Sequence, residues 1–498
     1  MSILSKVVII LIFVLAGVLF IHNFTSINAD IGRHIKLGEM IWQTKEVPKT
    51  NLLSFTAPDY PFINHHWLSE VIFYGVYSTG NSWVSGLKNI IVFKVLILLA
   101  AYFLLFLTVR KYNIIAVSLA FLVSILVFTA RTEPRPEIFS YLIFAAYLLV
   151  LYRTRISNFE FRISNLRINA LFILPTLQLF WVNLHIYFIL GPIIFLFFLI
   201  DKFVNSKLKI SNFIQNSKFE ILIVVLIILA NLVNPNFVAG ALYPFKVLNN
   251  YGYSVAENSS LFFLAKYFGY WAPQDKISLI SFFVLAASFI ASFLKQKKGY
   301  LKTRAFDLLL ILTTISLSFK IQRNIPLFAL SLWPVMTANL AGIMNYELRI
   351  KNFEKLKKWL YAGAMLVLIT SIYLVMSGRF YNYINSARIF GLGVSSAAQD
   401  GTDFIKENKI QGPVFNNFDI GSYLVWQLYE NPAPNCSADR HSEKGQVWCG
   451  TRVFVDGRPE AYPVEFFEEI YKPMQDDERT WQKMSEKYGI NYIFFAHT

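Results

Sequence analysis

The sequence predicts a polytopic α-helical membrane protein of about eleven spans, with a small α/β domain outside the membrane. Three observations carry that class. Of 498 residues, 55% are hydrophobic and only 15% charged, whereas soluble globular chains typically carry about a quarter charged. Apolar stretches close to the roughly 20 residues that span a bilayer recur through the first 378 residues. Beyond residue 378 the composition turns acidic, with 12 Lys and Arg against 16 Asp and Glu, net −4; the first 378 residues hold 34 against 15, net +19. The 47 Phe and 26 Tyr suit lipid-facing and interfacial positions.

The first span is the apolar run at 5–23. No small-residue cleavage site follows it, so it reads as a transmembrane helix rather than a signal peptide. Ten more follow at roughly 87–109, 113–130, 136–152, 168–183, 186–203, 219–235, 277–294, 304–320, 324–343 and 358–377. Alternate loops read "RKYN", "RTRISNFEFRISNLR", "DKFVNSKLKISNFIQNSK", "KQKKGYLKTR" and "NYELRIKNFEKLKK". All are basic, which places them in the cytoplasm by the positive-inside rule. The expected chain is therefore a multi-pass protein of the plasma or inner membrane, with its N-terminus cytoplasmic. Residues 24–86 form its first outer loop within a transmembrane domain, 1–378, and 379–498 form an extracytoplasmic α/β domain. The basic excess needs no polyanion to explain it, and a nucleic-acid partner is excluded.

Where the first span ends, Asp30 opens a segment of helical periodicity. Ile31, Ile35, Gly38 and Trp42 share one face, and Arg33, Lys36, Met40 and Gln43 another. The spacing predicts an amphipathic helix lying along the membrane surface. In the tail, "GPVFNNFDIGSYLVWQL" and "RVFVDGRPEAY" read as strand and turn, "VEFFEEIYKPMQDDERTWQKMSEKYG" as helix, and "YGINYIFFAHT" as a final strand. The only cysteines, Cys436 and Cys449, lie in this outer part, where a disulfide is the natural reading.

Ionisable groups gather on the expected outer face, where charge at a membrane boundary is costly and often functional. The first loop supplies Asp30, His34, His65, His66 and Glu70; "ARTEPRPEIFSY" supplies Arg131, Glu133, Arg135 and Glu137. His185, Glu257, Lys320 and Arg323 complete the set. Arg131, Arg135 and Arg323 fit a bidentate grip on phosphate, or they snorkel to headgroups. His66 and Glu70, one helical turn apart, suit an orienting hydrogen bond or surface pair better than a metal, since two ligands do not make a site. Asp30 also suits a helix N-cap, a role compatible with catalysis. Asp419 and Asp456 read as turn formers. No P-loop, GxGxxG or GxSxG motif is present, which argues against ATP consumption and dinucleotide binding.

With these residues laid out, the chain resembles the GT-C superfamily of integral membrane glycosyltransferases. "DIGRHIKLGEMIWQTKEVPKTNLLSFTAPDYPFINHHWLSEVIFYGVY" is similar to bacterial members with Asp-x-x-x-His-x-x-x-Gly followed by an Asn-His-x-Trp-Leu-x-Glu run. Topological similarity covers essentially the whole chain. Motif similarity covers about fifty residues of the first loop, with weaker echoes in "RPEIFSY", "WVNLH", "NPNF" and "RNIPLF". The resemblance implies a polyprenyl-phosphate-linked sugar donor, an acceptor that is a lipid, glycan or protein, and Asp30 as the catalytic carboxylate. His34, His65, His66, Glu70, Arg131, Arg135, His185 and Arg323 become candidates for donor-phosphate or acceptor binding. The WWDxG motif of oligosaccharyltransferases is absent. No residue is assigned to a metal, and a divalent cation is the one cofactor left open. A secondary transporter and a non-catalytic scaffold of cell-envelope assembly are the competing readings. Against the transporter, ionisable groups sit at the boundary rather than the midplane, and no inverted repeat is visible.

Overall fold

The computed structural model describes residues 2–25, 30–156, 160–163, 166–246, 250–296, 304–347, 353–395, 398–429 and 452–495. Cys436 and Cys449, and with them the expected disulfide, lie outside these residues.

All eleven expected stretches carry a helix. The series opens with α1 (Ile3–Phe20) and closes with Phe353–Met376, which packs against α1. Among the described residues seven helices are long and apolar enough to cross a membrane. The count becomes eight if Ile210–Asn216 and Lys218–Ala230, bent by 76°, form one span. Ile114–Phe128, Ala170–Leu184 and Ala305–Lys320 fall short of that length. At 1.5 Å per residue a 15-residue helix reaches only about 23 Å of the roughly 30 Å hydrocarbon core. In the bundle interior Tyr102, Phe121 and Trp333 form an aromatic cluster. Trp333 Nε1 donates to the Val117 carbonyl at 3.1 Å, meeting the need of a buried indole for a partner.

The first loop carries α2 (Ile31–Thr44) and α3 (Trp67–Tyr77). Both faces of α2 are covered: not only Ile31 and Ile35 but also Arg33, His34 and Lys36 are buried, while Trp42 is exposed. It is therefore a sandwiched helix rather than one with a bare polar face. Two glycines explain how. A Cβ on Gly38 would stand 2.0 Å from the Glu70 carbonyl of α3, and one on Gly32 would stand 2.7 Å from the Ser422 carbonyl. Only glycine permits both approaches.

The helix carrying Ser422, Phe418–Leu428, corrects the sequence reading of "IGSYLVWQL" as strand. Its apolar residues are buried nearly all round, and such a run shows no helical stripe to distinguish it from a buried strand. "RVFVDGRPEAY" makes one bridge at Val453 and a 3-10 turn, Pro459–Ala461. The expected long helix is broken into Phe466–Tyr471, Pro473–Asp476 and Glu478–Tyr488, with Pro473 interrupting and Asp477 capping the last piece through Thr480 N. Val414–Asn416 pairs in parallel with Tyr492–Phe494, from Val414↔Tyr492 to Asn416↔Phe494.

This C-terminal part does not bury a core by itself. Leu37, Met40 and Leu53 of the first loop share one core with Ile405, Ile420, Leu424 and Val453; Phe62 shares another with Phe415, Phe454 and Phe467. Strand β1 (Phe24–Thr25) pairs in parallel with Val394–Ser395, and Ser54 bridges Val453.

Candidate active site

Asp30 occupies the N-cap position of α2 in the left-handed region, at φ 53° and ψ 13°, yet its side chain makes no capping bond. Asp is one of the few residues that visit this region readily. The carboxylate instead accepts from Ser422 Oγ at 2.8 Å. Gly457 closes against it: a Cβ there would stand 2.5 Å from Asp30 Oδ1. Three elements distant in sequence thus aim one carboxylate into a cavity of about 640 Å³.

Imidazoles form one side. His34 Nδ1 lies 3.1 Å from Glu70 Oε1, and Asn64 donates to Glu70 Oε2 at 2.6 Å. The His66 ring sits among His34, His65 and His185, with centroids 5.7, 3.8 and 5.3 Å away. His185 Nδ1 is 2.9 Å from Ser140 Oγ, and Nε2 is 3.8 Å from Glu137. Burial, reinforced by Arg33, keeps His34 well below its ordinary pKa. Burial and the neighbouring imidazoles do the same for His66, and burial brings His65 down to about 4. These rings are neutral at pH 7 and offer N–H donors without charge. Burial likewise raises Glu70, although Arg33 and Asn64 pull it back.

A cluster of cations adjoins them. Arg131 Nη1, Arg135 Nη1 and Arg323 Nη2 converge on Glu257, at 2.9, 3.0 and 3.3 Å from its Oε2. Burial alone would raise Glu257, but Arg135, Arg131 and Arg323 override it and hold the carboxyl far below the usual range. Arg131 Nε also pairs with Glu137.

Of the residues expected to act, Asp30, His34, His65, His66, Arg135, His185 and Arg323 line the cavity. Glu70 and Arg131 stand just behind it, holding residues that do. Glu133 belongs elsewhere, paired with Arg388. The sequence reading missed Arg33, a buried cavity residue near Glu70 (3.8 Å) whose Nε has no hydrogen-bond partner among the described residues. It also missed Asp419 and Glu460, which face the cavity from the C-terminal part. Burial and the charge of Asp30 raise Asp419 from its ordinary pKa. Asp456 is buried against Arg458 at 2.6 Å. The signal available for Arg33 was its place one turn ahead of Leu37 on a helix whose polar side is buried.

A second cavity, about 670 Å³, lies by the opposite end of the Glu137–Ile156 helix. Its charges neutralise one another, Arg155 pairing with Asp201 at 2.9 Å and Asp307 at 3.4 Å. Among the described residues no three His, Cys, Asp or Glu side chains stand together as a cation site.

The helical membrane bundle, its first loop clasped by a C-terminal α/β part, has a GT-C-like fold. The archaeal oligosaccharyltransferase AglB from Archaeoglobus fulgidus, solved in complex with an inhibitory peptide and a dolichol-phosphate, has this fold too. It superposes with a TM-score of 0.60 over 98% of this chain and 69% of its own, at 12% identity. No family model matches the chain, and no curated protein sequence matches it.

Proposed function

We propose that this chain is a membrane glycosyltransferase of GT-C type, moving a sugar from a polyprenyl-phosphate donor to a lipid, glycan or protein acceptor. The observation that carries the reading is the shared cavity: Asp30 opens into the same space as Arg135, Arg323 and the neutral imidazoles, on a fold that AglB shares. That AglB was solved with a dolichol-phosphate supports a lipid-phosphate donor here.

In this reading the acceptor nucleophile gives its proton to Asp30 as it attacks the anomeric carbon. The bond from that carbon to the phosphate oxygen breaks, and the electron pair leaves with the phosphate. Arg135 and Arg323, with Arg131 behind them, stabilise the growing negative charge in a partly water-excluded site. Imidazole N–H groups add donors without excess charge. The arrangement of basic loops supports a plasma or inner membrane location with the N-terminus inside and the cavity on the extracytoplasmic face. The first-loop motif supports a place among the bacterial members of the superfamily.

The test is a comparison of glycolipid and glycan profiles in cells expressing the wild-type chain or Asp30→Asn. A glycosylated product present only with the wild type is expected. Identical profiles, with both proteins in the membrane, would sink the reading.

A further inference from the structure

Glu257 places one oxygen, Oε2, within 3.3 Å of three guanidinium groups. Those arginines come from separate places: Arg131 and Arg135 precede the Glu137–Ile156 helix, and Arg323 sits in the turn between Ala305–Lys320 and Ile325–Glu347. Local backbone geometry does not require them to meet. Glu257 itself rides a single 3-10 turn, Ala256–Asn258. That turn lies on the wall of the cavity, and a third of the Glu257 side chain is exposed.

The match between donors and acceptor is poor. One carboxylate oxygen receives all three arginines, while Arg131 Nη2 and Arg323 Nε are buried with no hydrogen-bond partner among the described residues. Buried charged donors normally find partners. A phosphate presents more acceptor oxygens than a carboxylate and suits guanidinium forks. Charge balance agrees. Three arginines face two carboxylates, Glu137 and Glu257, so exchanging Glu257 for a singly charged phosphodiester leaves the local charge unchanged.

We propose that Arg131, Arg135 and Arg323 form a lipid-phosphate subsite that Glu257 occupies at rest, and that the donor enters by displacing this carboxylate. The inference rests on the glycosyltransferase reading. Glu257 is thus an internal competitor: apparent donor affinity is reduced by the fraction of molecules in which it has vacated the arginines. It also keeps three clustered cations compensated while no donor is present.

Binding of farnesyl phosphate to the full chain in nanodiscs tests this without turnover. Glu257→Gln, close in shape and uncharged, should bind the probe about tenfold more tightly than wild type. Unchanged or weaker binding by a folded Glu257→Gln would overturn the proposal, because Glu257 would then be a bystander or a member of the binding set. The unmutated protein supplies a second readout. Saturating farnesyl phosphate should speed hydrogen exchange of the amides at 254–258 as the turn is released, and protection of those amides would overturn it. Wild-type binding with Glu257 still in place removes this inference and leaves the proposed activity standing. A chain that binds no lipid phosphate in either form removes both.

Discussion

Ser422 Oγ donates a 2.8 Å hydrogen bond to Asp30 Oδ1 from 392 positions further along the chain. The carboxylate proposed to take the acceptor's proton is therefore positioned by the C-terminal part, not by its own helix. Asp30→Asn keeps the shape and removes the base. A positioned general base typically contributes 10²–10⁴-fold, and sugar transfer by purified protein in nanodiscs should fall by about that factor with the unfolding temperature unchanged. Asp30→Glu should recover little, since an added methylene misplaces the carboxylate. Transfer at the wild-type rate by the Asn variant would reduce Asp30 to a structural role.

Gly457 supplies an independent check on the same atom. Its missing side chain leaves room for Asp30 Oδ1, which a Cβ would approach to 2.5 Å. The atom met is the end of a side chain, so Gly457→Ala should move the carboxylate rather than the backbone. We expect kcat to drop by about 10²-fold, the scale of an ångström-sized misplacement, with little change in unfolding temperature. Full activity with Ala at 457 would mean that the position of this carboxylate does not matter.

At Gly38 the obstacle is backbone. An added Cβ would lie 2.0 Å from the Glu70 carbonyl, so Gly38→Val must push α3 away from α2. Overpacking of this kind costs about 1–3 kcal/mol. The expected result is a lower unfolding temperature in detergent together with weaker activity, since the His34–Glu70 contact spans the same two helices. Wild-type stability would contradict the close packing.

Stability should also respond to acid. His65 is held at about 4, against an ordinary 6.5, by burial, so below pH 6.5 the unfolded chain takes up the proton before the folded chain does. Its contribution is intact above about pH 6.5 and is lost as pH falls towards 4. The buried rings of His34 and His66 act in the same direction. Thermal unfolding scans across this window should show a declining midpoint, and His65→Gln should flatten part of the decline. An equal slope in both proteins would show that His65 does not titrate as its burial implies.

The proposed orientation is decided by labelling intact cells with an impermeant thiol reagent. Glu465→Cys should react, and Lys207→Cys, in a basic loop, should react only after permeabilisation. The reverse pattern would turn the protein over in the membrane.

How legible this was depends on the range of the contacts. Helical stretches announce themselves through local hydrophobicity, and the Asp30 boundary is visible because a charge follows an apolar run. Arg131, Arg135 and Arg323 could be grouped by the side of the membrane they shared, and they do meet, at Glu257. Their meeting point could not be read, because no periodic pattern encodes pairings between residues so far apart in sequence. Phe418–Leu428 was misread for a related reason: packed nearly all round, it loses the one-sided stripe that marks a surface helix. Gly32 and Gly38 were in plain view, but their role depends on two partners from different parts of the chain.

The clasp between β1 and Val394–Ser395, with Ser54 bridging Val453, bears on how the protein is made. Chains grow from the N-terminus, so Asp30 leaves the ribosome long before Ser422 and Gly457 exist. Until Ser422 and Gly457 have been made, the first loop must wait with Leu37, Met40 and Leu53 lacking their partners. The proposed reactive centre therefore assembles only after the spans have been made, and a chain terminated before Ser422 would be inert. Synthesis itself acts as the safety catch.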